Sequence, residues 1–75
     1  MRTKNKFKKG DRVKLTSSHI DSSGQRVRKG TTGLVTFMFW SVGIGQWVYD
    51  VSNKNLPFGS AHNVRESDLT LQKRK

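Results

Sequence analysis

The sequence predicts an all-β domain, a small five-stranded barrel with a long loop after its first strand and a short helical turn before its last. Short segments in which apolar and polar residues alternate are separated by turns that contain glycine. No window of about a dozen residues carries the 3.6-residue apolar period of a helix. A closed sheet also removes the edges that a chain of 75 residues is too small to cover with helices.

The first predicted strand covers residues 12–16. Strand side chains alternate between two faces, so Val13 and Leu15 share one face while Arg12 and Lys14 share the other. We therefore expect the two apolar residues in the core and the two cations on the surface.

The aromatic-rich middle of the chain predicts an antiparallel hairpin, with strands over 34–41 and 46–52 joined by a short loop that contains glycine. Trp40 falls on the outer face of its strand together with Thr36. The alternation assigns inward positions to Val35, Phe37, Phe39, Trp47, Tyr49 and Val51.

The other predicted elements are a polar loop over 17–30 with its tip at 21–24, a loop over 53–60, a short strand over 61–64, one helical turn over 65–68 and a last strand over 69–71. Gly10, Gly30 and Gly33 mark turns or sheet corners that need a positive φ or a bare backbone. The folded unit is predicted to cover 8–72, between a flexible basic arm at 1–7 and a basic tail at 73–75.

Three segments, 9–15 (KGDRVKL), 29–35 (KGTTGLV) and 66–71 (ESDLTL), resemble the SH3-like barrels of the KOW type. The resemblance implies an SH3-like β-barrel fold. Because KOW-type barrels often bind RNA or the ribosomal and transcription machinery, it also implies a partner of that kind. Sister barrels bind peptides or proteins, and small phage and prophage proteins use basic barrels of this size.

Charge is concentrated at one end of the chain. Ten of the fifteen Lys and Arg residues lie in 1–30 against two acids, a net charge of about +8, whereas 31–64 is neutral. Such a basic end favours a polyanion, most often nucleic acid. No segment reaches the roughly 20 apolar residues that span a bilayer. We therefore expect a cytoplasmic protein that binds no membrane and, because its copies repel one another, a monomer.

The cations predict a surface that binds phosphates. Arg12 and Lys14 lie on the polar face of the first strand, and Arg26 and Arg28 share a face where the loop returns in extended form. The predicted nucleic-acid-binding residues are Lys8, Lys9, Arg12, Lys14, Arg26, Arg28, Lys29 and Trp40. Trp40 has the role of stacking on a base. The plainer interpretation is a surface that serves only solubility.

These observations predict a non-enzymatic nucleic-acid-binding module that favours RNA or single strands with little sequence specificity. The alternative is a protein-interaction barrel, or small effector, that docks on an acidic surface of a partner through the hairpin 39–49. Its anchors are Trp40, Trp47, Tyr49 and Phe58.

Catalysis, metal binding and cofactors are not indicated. His19 and His62 are the two histidines, the chain has no cysteine, and no close carboxylates accompany the histidines at ligand spacing. No His or carboxylate falls in a pattern typical of general acid–base chemistry. We expect no catalytic residue, no metal site and no cofactor.

Overall fold

The computed structural model describes residues 4–21 and 23–74. Its elements are β1 (Arg12–Leu15), β2 (His19–Ile20), β3 (Arg26–Val27), β4 (Thr32–Ser41), β5 (Gln46–Ser52), β6 (Ser60–Arg65), a 3₁₀ turn (Glu66–Asp68) and β7 (Leu69–Lys73). The predicted all-β class is confirmed, and so is the helical turn before the last strand. The predicted polar loop between β1 and β4 contains the short hairpin of β2 and β3.

One antiparallel sheet of five strands forms the body of the molecule, in the order β6-β5-β4-β1-β7. The predicted hairpin between β4 and β5 is confirmed. Strands β6 and β7 are the edges of this sheet, and in the described part of the chain no ladder between them closes it. β2 and β3 pair with each other as a separate two-stranded sheet.

The core lies against the inner face of the sheet. Val13 and Leu15 are buried and Arg12 and Lys14 exposed, as alternation predicts. Inward positions are also confirmed for Val35, Tyr49 and Val51, and Trp47 packs against the core while half-buried. The other buried apolar residues of this core are Phe7, Val27, Ala61, Val64 and Leu69.

A β-bulge at Thr36 overturns the inward assignment of Phe37 and Phe39. Val35 pairs with Val51, but Phe37 already pairs with Asp50, so two residues of β4 face one residue of β5. An extra residue reverses the alternation beyond it. The Phe37 and Phe39 side chains are therefore 49% and 40% exposed.

The same bulge corrects the prediction for Trp40. Beyond the bulge, Trp40 lies directly opposite Trp47, and the two rings meet edge to face with their centroids 6.1 Å apart. Trp40 is half-buried and shares the face of Trp47, which packs on the core. It does not share the outer face of Thr36.

The N-terminal segment is attached to the core through a buried hydrogen-bond network. The Tyr49 hydroxyl donates to Glu66 Oε2 at 2.5 Å, and the same oxygen accepts the backbone N–H of Lys6 at 2.9 Å. Phe7 is buried and meets the Tyr49 ring edge to face at 5.3 Å. Phe7, which the sequence assigns to the arm at 1–7, therefore belongs to the folded domain. Residues 1–3 of the predicted arm lie outside the described residues.

The β2–β3 hairpin is held against the edge strand β6 by polar contacts. Asp21 is buried and accepts hydrogen bonds from the backbone and hydroxyl of Ser23 and from the backbone and side chain of Gln25. Gln25 Nε2 donates to Ser60 O at 2.8 Å, and His19 Nε2 donates to His62 O at 2.9 Å. The contacts bring the strand that carries Arg26 beside the loop that precedes β6.

Candidate nucleic-acid interface

The five carboxylates of the chain are all engaged inside the fold. Asp11, Asp21 and Glu66 are buried, and Asp50 and Asp68 are half-buried. Lys8 N donates to Asp11 Oδ2 at 3.0 Å, His62 Nδ1 lies 3.3 Å from Asp50 Oδ2, and Ser17 Oγ donates to Asp68 Oδ1 at 2.9 Å. Three of the five carboxylates are thus buried, and the other two are half-buried and bonded to neighbouring groups.

The surroundings of Asp21 change the pKa of its carboxyl group. Burial by itself raises the pKa of Asp21, but hydrogen bonds from Ser23, Gln25 and the backbone of His62 outweigh it and lower that pKa to about 2. Asp21 is therefore ionised at neutral pH although it is buried. Its charge is used to hold the β2–β3 hairpin in place.

The cations show the opposite distribution. Every Lys and Arg within 4–21 and 23–74 has an exposed side chain. Among these residues, Arg74 forms an ion pair with Asp11, in which Arg74 Nη1 lies 4.0 Å from Asp11 Oδ2. In the described part of the chain, the positive charges therefore lie at the surface, which favours an external polyanion.

Six of these cations line three adjoining grooves. The first groove includes Arg12 and Lys54, the second Arg26 and Arg28, and the third Lys14 and Lys29. The first and second grooves share Thr32, Asn53 and Asn55, and the second and third share Gly30. We call the six residues Arg12, Lys14, Arg26, Arg28, Lys29 and Lys54 the cationic surface. Among the described residues, no carboxylate lines any of the three grooves.

Strand register brings the cationic surface together. Arg12 lies between Leu34 of β4 and Lys73 of β7, and Lys14 lies between Thr32 and Thr70. Both cations face outward because Val13 and Leu15, which alternate with them, fill the core. The outer face of β1 therefore carries two cations, and its neighbours across the ladders are Leu34, Thr32, Thr70 and the further cation Lys73.

The β5–β6 loop supplies the polar floor between the cations. Asn53 Nδ2 donates to Thr32 O at 2.7 Å, and Asn53 Oδ1 accepts the backbone N–H of Asn55 at 2.8 Å. Phe58 N donates to Gln25 Oε1 at 3.2 Å, which ties the loop to the β2–β3 hairpin. The loop thus carries Lys54 itself and lies beside Arg26 and Arg28.

Five of the eight predicted nucleic-acid-binding residues come together in the cationic surface, namely Arg12, Lys14, Arg26, Arg28 and Lys29. Arg26 and Arg28 are exposed around the buried Val27, so the expectation that they share a face is confirmed. Lys54 is the member that the sequence analysis missed, because a lone lysine in a neutral segment gives no signal. The side chains of Lys8 and Lys9 are exposed but line none of the three grooves.

The aromatic predictions need correction. Trp40 is half-buried against Trp47, so it is not the exposed stacking residue. Tyr49 is fully buried and cannot anchor a partner, which removes one of the four residues of the protein-interaction alternative. Phe58 is 64% exposed on the β5–β6 loop, which is where the sequence places it. The exposed aromatic residues of β4 are Phe37 and Phe39.

His62 is part of a chain of contacts between β5 and β6. Its Nδ1 lies 3.3 Å from Asp50 Oδ2, and its Nε2 lies 3.5 Å from Ser60 Oγ. Asp50 Oδ1 also accepts the backbone N–H of Asn63, which has φ 58° in a bulge of β6. The contacts brace an irregular edge strand.

Two further observations bear on the kind of site. Within 4–21 and 23–74, no three His, Cys, Asp or Glu side chains are grouped so that they could hold a metal ion. No helix in the same residues has both the length and the apolar character needed to cross a bilayer.

No protein-family model, curated protein or solved structure matches this chain.

Proposed function

We propose that this protein is a non-enzymatic nucleic-acid-binding module that holds the phosphate backbone on the cationic surface. The observation that carries the proposal is the separation of charge: the carboxylates are buried or half-buried and line none of the three connected grooves, while six cations line them. A nucleic acid is the polyanion whose repeating phosphates match such an extended row. The resemblance to KOW-type barrels favours RNA among the nucleic acids.

The surface suits backbone contacts with little sequence specificity. Lys and Arg side chains at the groove walls bind phosphate oxygens, and the hydroxyl and amide groups of Thr32, Asn53 and Asn55 add neutral donors between them. The fold presents no helix for a major groove, since its one helical segment is the three-residue turn Glu66–Asp68 in the described chain. Recognition through the backbone accounts for the low specificity.

A salt titration with a matched pair of variants tests the proposal. Arg28→Gln/Lys54→Gln removes two charges from the cationic surface, and Lys4→Gln/Arg65→Gln removes two exposed charges that lie outside its three grooves. The probe is an oligouridylate, with an oligothymidylate of the same length as a second arm, and binding is followed by anisotropy.

We expect the parent protein to lose affinity steeply as salt rises. The surface variant should flatten the plot of log K against log salt by about 0.7 for each phosphate that it no longer neutralises, the value for single strands. The control variant should keep the slope of the parent. An affinity that salt leaves unchanged, or equal losses of affinity in the two variants, would show that the charges do not act as a placed phosphate site.

The protein-interaction alternative has weaker support on this fold. Its hairpin contributes Trp40 and Trp47 half-buried against each other, and its Tyr49 lies in the core. If the parent protein binds neither oligonucleotide at low salt, the nucleic-acid proposal is wrong and this alternative is favoured.

A further inference from the structure

We infer that Phe37 and Phe39 form a base-stacking platform, so that the ligand is a single strand whose bases are unpaired and accessible; the inference rests on the proposed function. Both rings are exposed on the outer face of β4, at 49% and 40%. Their centroids lie 6.0 Å apart with an angle of 42° between the ring planes. Two neighbouring exposed rings offer a surface on which successive bases of any sequence can stack.

The bulge at Thr36 is what creates the platform. In an unbroken strand, Phe37 and Phe39 would lie on the same face as the buried Val35 and would point to the core. The extra residue turns both rings outward and turns Trp40 toward Trp47. Exposing two phenylalanines in a domain with so small a core gives up burial that would stabilise the fold. This loss is consistent with a binding role for the two rings.

Positive charge adjoins the platform and continues to the cationic surface. Lys9 Nζ lies 5.9 Å from the centroid of the Phe37 ring, within cation–π range. The chain runs from there along β4, since Gly10 N donates to Val35 O at 2.8 Å and Arg12 pairs with Leu34. A nucleic-acid backbone that follows the outer face of β4 and β1 would pass from Lys9 to Arg12. The predicted role of Lys9 in binding is thus assigned to the platform and not to the grooves.

The carboxylate beside the platform, Asp50, contacts two residues of β6. Asp50 pairs with Phe37 across the ladder, and its oxygens lie 3.3 Å from His62 Nδ1 and 3.3 Å from the backbone nitrogen of Asn63. Asp50 is thus directed to β6, and the cation recorded over the platform is Lys9. The rings offer apolar faces for bases, and Lys9 offers a positive charge for a phosphate.

The test compares two probes that carry the same phosphates. One is an oligothymidylate of about 12 nucleotides, a length within the range that small single-strand-binding domains cover. The other is an abasic oligonucleotide of equal length, which keeps the backbone and lacks the bases. The variants are Phe37→Leu/Phe39→Leu, which keeps apolar bulk and removes both rings, and Phe58→Leu, which removes an exposed ring elsewhere.

Each stacked base should make the parent protein bind the oligothymidylate about 5- to 140-fold more tightly than the abasic probe. The double variant should bind the oligothymidylate as weakly as the abasic probe, with its abasic binding unchanged, and Phe58→Leu should behave as the parent. A duplex of the same length should bind less tightly than the single strand. Phe37→Leu alone repeats the test without altering Phe39, which lies opposite the buried Val48.

Equal binding of the base-bearing and abasic probes by the parent protein would overturn the stacking inference while leaving phosphate binding intact. So would a duplex bound as tightly as the single strand. Failure of the proposed function itself gives a different result, in which the parent binds neither probe at low salt.

Discussion

Replacing Tyr49 by Phe tests the buried network that fastens the N-terminal segment to the sheet. The change removes one oxygen atom from a fully buried ring. Glu66 Oε2 then keeps the backbone N–H of Lys6 as a donor and loses the Tyr49 hydroxyl at 2.5 Å. Phe7 N loses the acceptor that lies 3.4 Å away. No other atom of the core has to move.

The magnitude follows from the kind of hydrogen bond that is removed. A hydrogen bond to a charged group contributes about 1.5–3 kcal/mol, and a buried carboxylate that loses its donor retains part of its desolvation cost. We therefore expect Tyr49→Phe to lower the free energy of unfolding by about 2–3 kcal/mol. In a domain of this size that corresponds to a fall in Tm of roughly 10–20 °C.

Urea denaturation at pH 7, followed by the fluorescence of the two tryptophans, measures the change. The midpoint should fall while the slope m stays constant, because the surface exposed on unfolding is the same. Thr36→Val removes an exposed hydroxyl bonded to Asp50 O at 3.3 Å and serves as a control with an effect below about 0.5 kcal/mol. Hydrogen exchange at the amides of Lys6 and Phe7 should accelerate in Tyr49→Phe.

Alkaline pH gives an independent measurement on the same residue. Burial raises the pKa of Tyr49 above its ordinary value of 10.0, and the hydrogen bond to Glu66 raises it further. The folded state therefore holds the phenolic proton more tightly than the unfolded chain does. The corresponding stability is fully present below about pH 10 and is lost as pH rises above it. Tyr49→Phe should lack this component of the alkaline loss. A variant within about 0.5 kcal/mol of the parent at pH 7 would refute the reasoning.

Two other sites give predictions about stability. A Cβ on Gly33 would clash with Ser52 O and Val51 Cγ1, so Gly33→Ala should force the β4–β5 ladder apart and lower the free energy of unfolding by about 1–3 kcal/mol or more. A Cβ on Gly43 meets nothing within 4 Å, so Gly43→Ala should change the urea midpoint little. Equal midpoints for the two variants would contradict this. Asp21 has a pKa lowered to about 2, so its contribution to the stability of the fold is present above pH 3.8 and is lost as pH falls through about 2. Asp21→Asn should lower the free energy of unfolding by about 1–2 kcal/mol at pH 7. In urea titrations, the difference in this free energy between variant and parent should narrow between about pH 4 and pH 2. A difference independent of pH would show that the carboxylate charge does not contribute to stability.

The sequence alone predicted the features that depend on neighbouring residues in the chain. Alternation predicted that Val13 and Leu15 are buried and Arg12 and Lys14 exposed, because one strand already determines its two faces. Gly10 and Gly30 have φ of 91° and 92°, as expected for turns that favour glycine. The hairpin between β4 and β5 and the helical turn before β7 were predicted for the same reason.

Tertiary contacts decided which residues meet. The bulge at Thr36 arises in the pairing of β4 with β5, and a single strand carries no sign of it, so alternation placed Phe37, Phe39 and Trp40 on the wrong faces. Lys54 joins the cationic surface because the hydrogen bonds of Asn53 and Gln25 fold distant segments together. Composition showed that the chain is basic. Its three-dimensional structure determined that the carboxylates are buried or half-buried while the cations of the described residues are exposed. Asp50, Glu66 and Asp68 are bonded to residues far away in the sequence, so no local pattern could show this.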